Sequence, residues 1–270
     1  MSNHTPSVGA AQAPVRAGDD LLADLSHHPD TWALFLDIDG TLIDIAETPE
    51  GIVVPPGLPD ALMRLSQRLG GALALVTGRA LPFADELFAP HRFPIAGLHG
   101  AQRRSASGAV DEVTLSGGFS DVKEALRGEA RQWPGVLIED KGLAVAAHYR
   151  QAPEYQAEVE AIMTRYLDRA GPDFTLQRGK MVLEIRPAKA SKGHAVQAFL
   201  AEPAFAGRVP IAIGDDVTDE AMFAIVNELG GRSIRIAETD APTVAQALLP
   251  SATVLRDILA AAAGAEPKIA

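Results

Sequence analysis

No cysteine occurs in the 270 residues, so disulfides, thiolate catalysis and cysteine-ligated zinc are all excluded. Long apolar runs are missing too, and nothing approaches the length that a helical bilayer crossing requires. The opening stretch MSNHTPSVGAAQAPVRAGDD has neither the basic start nor the apolar segment of a secretory leader. A cytoplasmic protein without a membrane partner is expected. Basic charge is scarce: 24 Lys and Arg face 35 Asp and Glu, for a net charge of −11. That balance argues against nucleic acid or an anionic membrane surface as the main partner. An anionic substrate would have to be held locally by Lys, Arg, backbone amides or a metal. No internal repeat is visible.

What the chain does have is a core, since hydrophobic residues make up 47% and charged residues 22%. Residues 1–20, rich in Ala, Gly, Pro and Ser, read as a flexible tail. Beyond them the pattern alternates. A buried strand is predicted at 32–37, a helix from Leu58 to Leu69 with leucines at helical spacing, a strand at ALALVTG, a helix near 81–88 and a short strand at PIAGLHG. That rhythm predicts an α/β fold with a doubly wound parallel sheet. The middle differs: a helix near 119–132, strands GVLIEDKG and LAVAAHYR around a Lys-Gly turn, a helix near 153–169, then strands FTLQR and MVLEIRP. Those elements make a small α+β unit. The parallel pattern then resumes with a helix from Lys192, strand PIAIGDD, helix 218–228, strand SIRIA and closing helices from 241. The expected organisation is a core of 21–104 and 187–270, with an inserted α+β cap at 105–186 acting as a lid.

Four stretches fall at or just beyond the carboxyl ends of predicted core strands: DIDGT at 37–41, VTGR at 76–79, SKG at 191–193 and GDDVTDE at 214–220. A doubly wound sheet gathers such ends into one crevice. Each has a plain explanation alone, as a turn, a helix cap or a solvated lysine. Together they bring a carboxylate nucleophile, a hydroxyl, an ammonium and a second acidic cluster. Asp215 and Asp216, adjacent at a strand end and facing another acidic pair, call for a cation. With oxygen ligands only, that cation is hard, and Mg²⁺ fits best. A calcium helix–loop–helix site fits poorly, because DIDGTLIDIAE has Thr41 and Leu42 where an Asp or Asn and a Gly are needed. Lys192 opposes the dipole of the helix it opens, which favours a role beside backbone amides in binding an anion.

In this order, the four stretches resemble the motifs of the haloacid dehalogenase superfamily of phosphatases, over residues 34–220 or so. GLHGAQ at 97–102, EDKGLAVAAHYR at 139–150, KMVLEIRP at 180–187 and GDDVTDEAMF at 214–223 look like the trehalose-6-phosphate phosphatase family. Two departures are Gln102, where that family usually has Glu, and Ile38, where an aromatic residue is more usual between the aspartates.

The resemblance implies a Mg²⁺-dependent phosphatase acting on trehalose 6-phosphate. It implies Asp37 as the nucleophile that becomes an aspartyl-phosphate and Asp39 as the acid and base. Thr77 and Lys192 would hold the phosphoryl oxygens, with Gly40, Thr41 and Gly78 also lining the phosphate. Asp37, the Asp39 carbonyl and Asp215 would bind the metal, with Asp216 and Asp219 holding its waters or Lys192. In the cap, Glu139, Lys141, His148, Arg150, Lys180 and Glu184 are the candidates for sugar contacts, against the bland alternative of a solvated sheet face. His99 is taken as a structural histidine. Other phosphorylated sugars, such as sucrose phosphate or mannosyl-3-phosphoglycerate, stand as alternative substrates. A non-catalytic sugar-phosphate-binding regulatory domain is the alternative of a different class. A monomer is expected, with a trehalose-phosphate synthase as the protein partner that the resemblance brings into view.

Overall fold

The computed structural model describes residues 16–18, 22–46, 51–114, 118–238 and 242–264. Its strands, in chain order, begin with β1 (Arg16–Ala17), β2 (Trp32–Leu36), β3 (Leu73–Val76) and β4 (Ile95–Gly97). β2, β3 and β4 are apolar and buried at every position, as expected of strands covered on both faces. Next come β5 (Gln102–Arg104) and β6 (Val110–Glu112), then β7 (Leu137–Asp140), β8 (Val145–His148), β9 (Phe174–Gly179) and β10 (Val182–Pro187). The last three are β11 (Val209–Gly214), β12 (Arg232–Ile236) and β13 (Ala247–Leu249). The large sheet has nine strands in the order β1-β13-β12-β11-β2-β3-β4-β5-β6. It is parallel from β1 to β4, and β5 and β6 add an antiparallel edge.

Crossover helices cover it. Helix Leu58–Arg68 opens with a proline in its first turn, where a missing N–H does no harm, and buries Leu58, Leu62 and Leu65 on one face. Helix Ala252–Ala262 buries Leu255 and Leu259, and the Ser251 hydroxyl caps it by accepting from the Val254 N–H at 3.3 Å. The chain runs from β2 outward through β3 and β4 and returns on the other side of β2 at β11. The strand order therefore reverses between β2 and β11, and a crevice opens beyond their carboxyl ends.

The second sheet, β7-β8-β10-β9, is wholly antiparallel. Helices Phe119–Ala130 and Gln156–Ala170 pack on one face of it, giving the cap its own core from residues such as Leu126, Val145, Ala147, Met163, Leu183 and Ile185. Alternation along β10 sends Leu183 and Ile185 into that core, so Glu184 points to the opposite face, toward the crevice.

Three expectations change. Arg16–Ala17 pairs with β13 at the sheet edge, so the tail placed at 1–20 does not extend through these residues; positions 1–15 lie outside the described residues. β6 belongs to the large sheet, so the cap begins after it and not at 105. The apolar run at 247–249, assigned to closing helices, is a strand between β12 and β1, and a single described helix follows it. Short apolar runs carry no period that separates helix from strand, and here the open edge of β12 decided.

Candidate active site

The two aspartates after β2 have separate surroundings. Asp37 is still in sheet register, its N–H donating to the Ile213 carbonyl of β11 at 3.0 Å. The chain then folds into a tight turn in which the Ile38 carbonyl accepts from Leu42 and Ile43, both at 2.9 Å. Gly40 sits at φ 75°, and a Cβ there would stand 2.1 Å from Asp215 Oδ2. Only glycine satisfies both the backbone and the approach of the second acidic cluster. The Gly40 N–H donates to Ile43 O at 2.7 Å and the Thr41 N–H to Ile38 O at 3.4 Å. Those amides turn into the loop, and Thr41 is fully buried. The amides of Gly40 and Thr41 are thus used in shaping the turn.

Behind the crevice, Lys192 opens helix Lys192–Leu200 and is 3% exposed. Its Nζ donates to Asp37 Oδ1 at 2.8 Å and to Asp219 Oδ1 at 2.6 Å. Asp219 is completely buried, and its other oxygen accepts the N–H groups of Asp215 and Asp216, each at 3.0 Å. Asp219 thus ties lysine, acidic loop and helix start together. Asp216 caps the following turn by accepting from the Val217 N–H at 2.7 Å. Ser191 makes no capping bond.

Burial pushes the Asp37 carboxyl well above its usual range, and the Asp219 charge adds to it while Lys192 opposes. Asp215 is pushed up to about 7, again by burial first and Asp219 second. Burial would pull Lys192 down, but Asp219 and Asp37 together hold it above its ordinary value. Ligand atoms of Asp37, Asp215 and Asp219 lie within 4.8 Å of one another. Three crowded carboxylates with only oxygen donors, two of which (Asp37 and Asp215) are disfavoured as anions, form a set suited to a hard cation. With both oxygens of Asp219 already accepting hydrogen bonds, Asp37 and Asp215 offer the better ligands.

Asp39 faces elsewhere. Its two oxygens accept from Arg79, Nε to Oδ2 and Nη2 to Oδ1, both at 2.6 Å. Arg79 follows β3 and Thr77, and its own N–H donates to Thr77 Oγ at 3.1 Å. Thr77 is fully buried, whereas Gly78 reaches the cleft wall.

The cap closes this crevice into a cleft of about 430 Å³, and all six cap candidates stand on its wall. Sheet register explains why: Glu139, Ala146, Glu184 and Gln177 form one row across the four strands. Lys141 Nζ donates to Glu184 Oε2 at 2.6 Å and reaches the core at Gly78 O, 3.4 Å away. Burial alone would lower Lys141, but Glu184 and Glu139 raise it. His148 Nε2 lies 2.8 Å from Glu139 Oε2, and Arg150 donates to the Lys180 carbonyl at 3.2 Å. Among the described residues Glu184 Oε1 is buried without a hydrogen-bond partner, 3.6 Å from His99 Nε2. Burial, then Lys192, Lys141 and Arg186, hold the His99 imidazole well below its ordinary value.

The cleft wall also carries polar residues outside the expected site, among them Arg79, His99, Gln177, Thr218 and Arg235. Arg79 lay inside a recognised stretch, and Gln177 follows from strand alternation once β9 is paired. Arg235, whose Nε donates to the Asp215 carbonyl at 3.2 Å, had no local signal.

A family profile described as trehalose-phosphatase matches residues 35–249. A probable trehalose-phosphate phosphatase of Sinorhizobium fredii is 57% identical over 263 residues, covering 97% of this chain and 98% of that one. The trehalose-6-phosphate phosphatase of Escherichia coli is 44% identical over 208 residues, 76% of this chain and 77% of its own. Among solved structures, the C-terminal domain of the Candida albicans trehalose-6-phosphate phosphatase superposes with a TM-score of 0.80 at 22% identity, covering 95% of this chain and all of that one.

Proposed function

The chain belongs to the trehalose-phosphatase family, and on that premise we propose how its cleft takes the phosphate from trehalose 6-phosphate. The protein is a phosphoric monoester hydrolase. An oxygen of Asp37 attacks phosphorus while the bond to the sugar oxygen breaks, giving an aspartyl-phosphate. Asp39 gives its proton to the departing sugar oxygen and then takes one from the water that releases phosphate and restores Asp37. Lys192, already on Asp37, stays protonated and meets the charge on the phosphoryl oxygens, with Thr77 and Gly78 at the same end.

Asp37, Asp215 and the Asp39 carbonyl would hold Mg²⁺, with Asp216 and Asp219 around it. When bound, that ion offsets the crowded negative charge and polarises the phosphoryl group. The cap candidates Glu139, Lys141, His148, Arg150, Lys180 and Glu184 address the sugar and keep bulk water out. A monomer in the cytoplasm is part of the same proposal. No helix among the described residues is long and apolar enough to cross a membrane.

The observation that carries this reading is the division of partners: Asp37 pairs with a buried lysine, Asp39 with an arginine at the cleft wall. Its test is phosphate release from a panel of trehalose 6-phosphate, sucrose phosphate and mannosyl-3-phosphoglycerate, with Mg²⁺ and with chelator. Trehalose 6-phosphate should be clearly preferred and chelator should stop turnover; equal rates across the panel would remove the substrate assignment. Asp37→Asn should fold and be inactive, and a mutant with full activity would remove the covalent route.

A further inference from the structure

We propose that Arg79 is a positioning residue for proton transfer: its guanidinium sets the plane of the Asp39 carboxylate so that one oxygen meets the departing alcohol. The inference rests on the assignment of Asp39 to proton transfer made above.

Asp39 follows a strand end on a turn bridged to Ile43, and its side chain reaches the cleft. Arg79 donates both hydrogen bonds that this carboxylate accepts among the described residues, one to each oxygen at 2.6 Å. A two-pronged guanidinium–carboxylate contact fixes orientation as well as distance, which a single-point ammonium cannot do. Arg79 is itself held in several places. Its N–H bonds Thr77 Oγ at 3.1 Å, its carbonyl accepts from Leu98 N–H at 3.0 Å, and its guanidinium lies 4.6 Å from the centre of the Phe83 ring. The side chain is 14% exposed, and both residues of the pair border the cleft.

The proton balance is consistent with such a role. As the P–O bond breaks, the Asp39 acid transfers its proton to the sugar oxygen and becomes a carboxylate beside a cation already in place. When water attacks the aspartyl-phosphate, Asp39 takes back a proton. Arg79 keeps its own protons throughout, since guanidinium does not titrate in proteins.

The test uses the full chain with saturating Mg²⁺, Arg79→Gln and Arg79→Lys, and three substrates. Trehalose 6-phosphate has a sugar and a poor leaving group, glycerol phosphate a poor leaving group without the disaccharide, and p-nitrophenyl phosphate a leaving group that needs no proton. The quantity compared is kcat/KM, which contains only steps up to departure of the alcohol and is blind to the base-assisted second step. For both variants kcat/KM should fall about 10- to 100-fold on the first two substrates, a fraction of what general acid catalysis typically contributes. On p-nitrophenyl phosphate it should fall by less than roughly threefold, while kcat falls and a burst of nitrophenolate emerges as the second step slows.

A loss on trehalose 6-phosphate alone, carried by KM, would make Arg79 a sugar contact and overturn the proposal. An equal loss of kcat/KM on all three would reduce it to packing and also overturn it. Asp39→Asn serves as the control. If that variant lacks the split between alkyl and nitrophenyl phosphates, the assignment of Asp39 fails, independently of the result at Arg79.

Discussion

A Cβ on Gly40 would stand 2.1 Å from Oδ2 of Asp215, so the turn after β2 and the acidic loop after β11 occupy one space. Gly40→Ala has to displace Asp215 and also adopt φ 75°. The strained backbone costs about 1–3 kcal/mol. Displacing a metal ligand should raise the Mg²⁺ concentration for half-maximal activity at least roughly tenfold. Thermal unfolding and a Mg²⁺ activation curve check the two effects. An unchanged curve would mean that Asp215 can shift without consequence to the metal site.

Lys192 sits between two buried carboxylates, Asp37 and Asp219. Lys192→Met leaves both without their cation, and breaking a buried pair from one side typically costs about 3–5 kcal/mol. Removing a preorganised donor from the transferring group should lower kcat by about 10²–10³. Urea unfolding and phosphate release measure each. A variant as stable as the parent would show that the acidic cluster tolerates an unbalanced charge.

Asp215 makes a pH prediction for the cation-free protein. Its carboxyl titrates near 7 when folded, against an ordinary value of 3.8, so between these limits the folded state binds more protons than the unfolded one. Stability then falls as pH rises, because the slope has the sign of protons bound unfolded minus protons bound folded. The contribution is fully present below the ordinary carboxylate value and gone above about pH 7. Asp37, also raised, acts with the same sign. Added Mg²⁺ should flatten the slope, release protons on binding and bind more tightly as pH approaches 7. Melting temperatures from pH 4.5 to 8, with chelator and with Mg²⁺, are the measurement. His99, held below its ordinary value of 6.5, acts with the opposite sign up to that value, so the profile is compared with that of Asp215→Asn; a difference that rises with pH would contradict the electrostatics described for the acidic cluster.

Lys141 donates to Glu184 Oε2 within the cap and also touches the core at the Gly78 carbonyl. Lys141→Ala should lower kcat/KM for trehalose 6-phosphate by roughly 10- to 150-fold, the equivalent of one charged hydrogen bond of about 1.5–3 kcal/mol. Hydrolysis of p-nitrophenyl phosphate, which presents no sugar, should fall much less. Equal losses on both substrates would assign Lys141 to cap closure and not to sugar recognition.

Much of the core was legible along the chain because its signals are local. A run such as ALFL ending in DIDGT carries burial, strand end and chemistry within a few residues, and leucines at helical spacing locate helix Leu58–Arg68. The cap's hairpins were visible for the same reason. β5 and β6 were not, because QRR and VDE are short and polar and become strands only as an added edge on β4. β13 was hidden in an apolar run that equally suits a helix.

The sequence by itself determined the inventory: an all-oxygen acidic set, a hydroxyl, a lysine at a helix start, and no thiol to compete with them. The tertiary structure decided the pairings. That Lys192 bridges Asp37 and Asp219, that Arg79 grips Asp39, and that Gly40 leaves room for Asp215 are facts of strand order. They arise because the strand order of a parallel sheet reverses between β2 and β11 and brings together strand ends that lie far apart in the chain. Residue type sets what a group can do, and the distance to a particular partner sets which of those things it does.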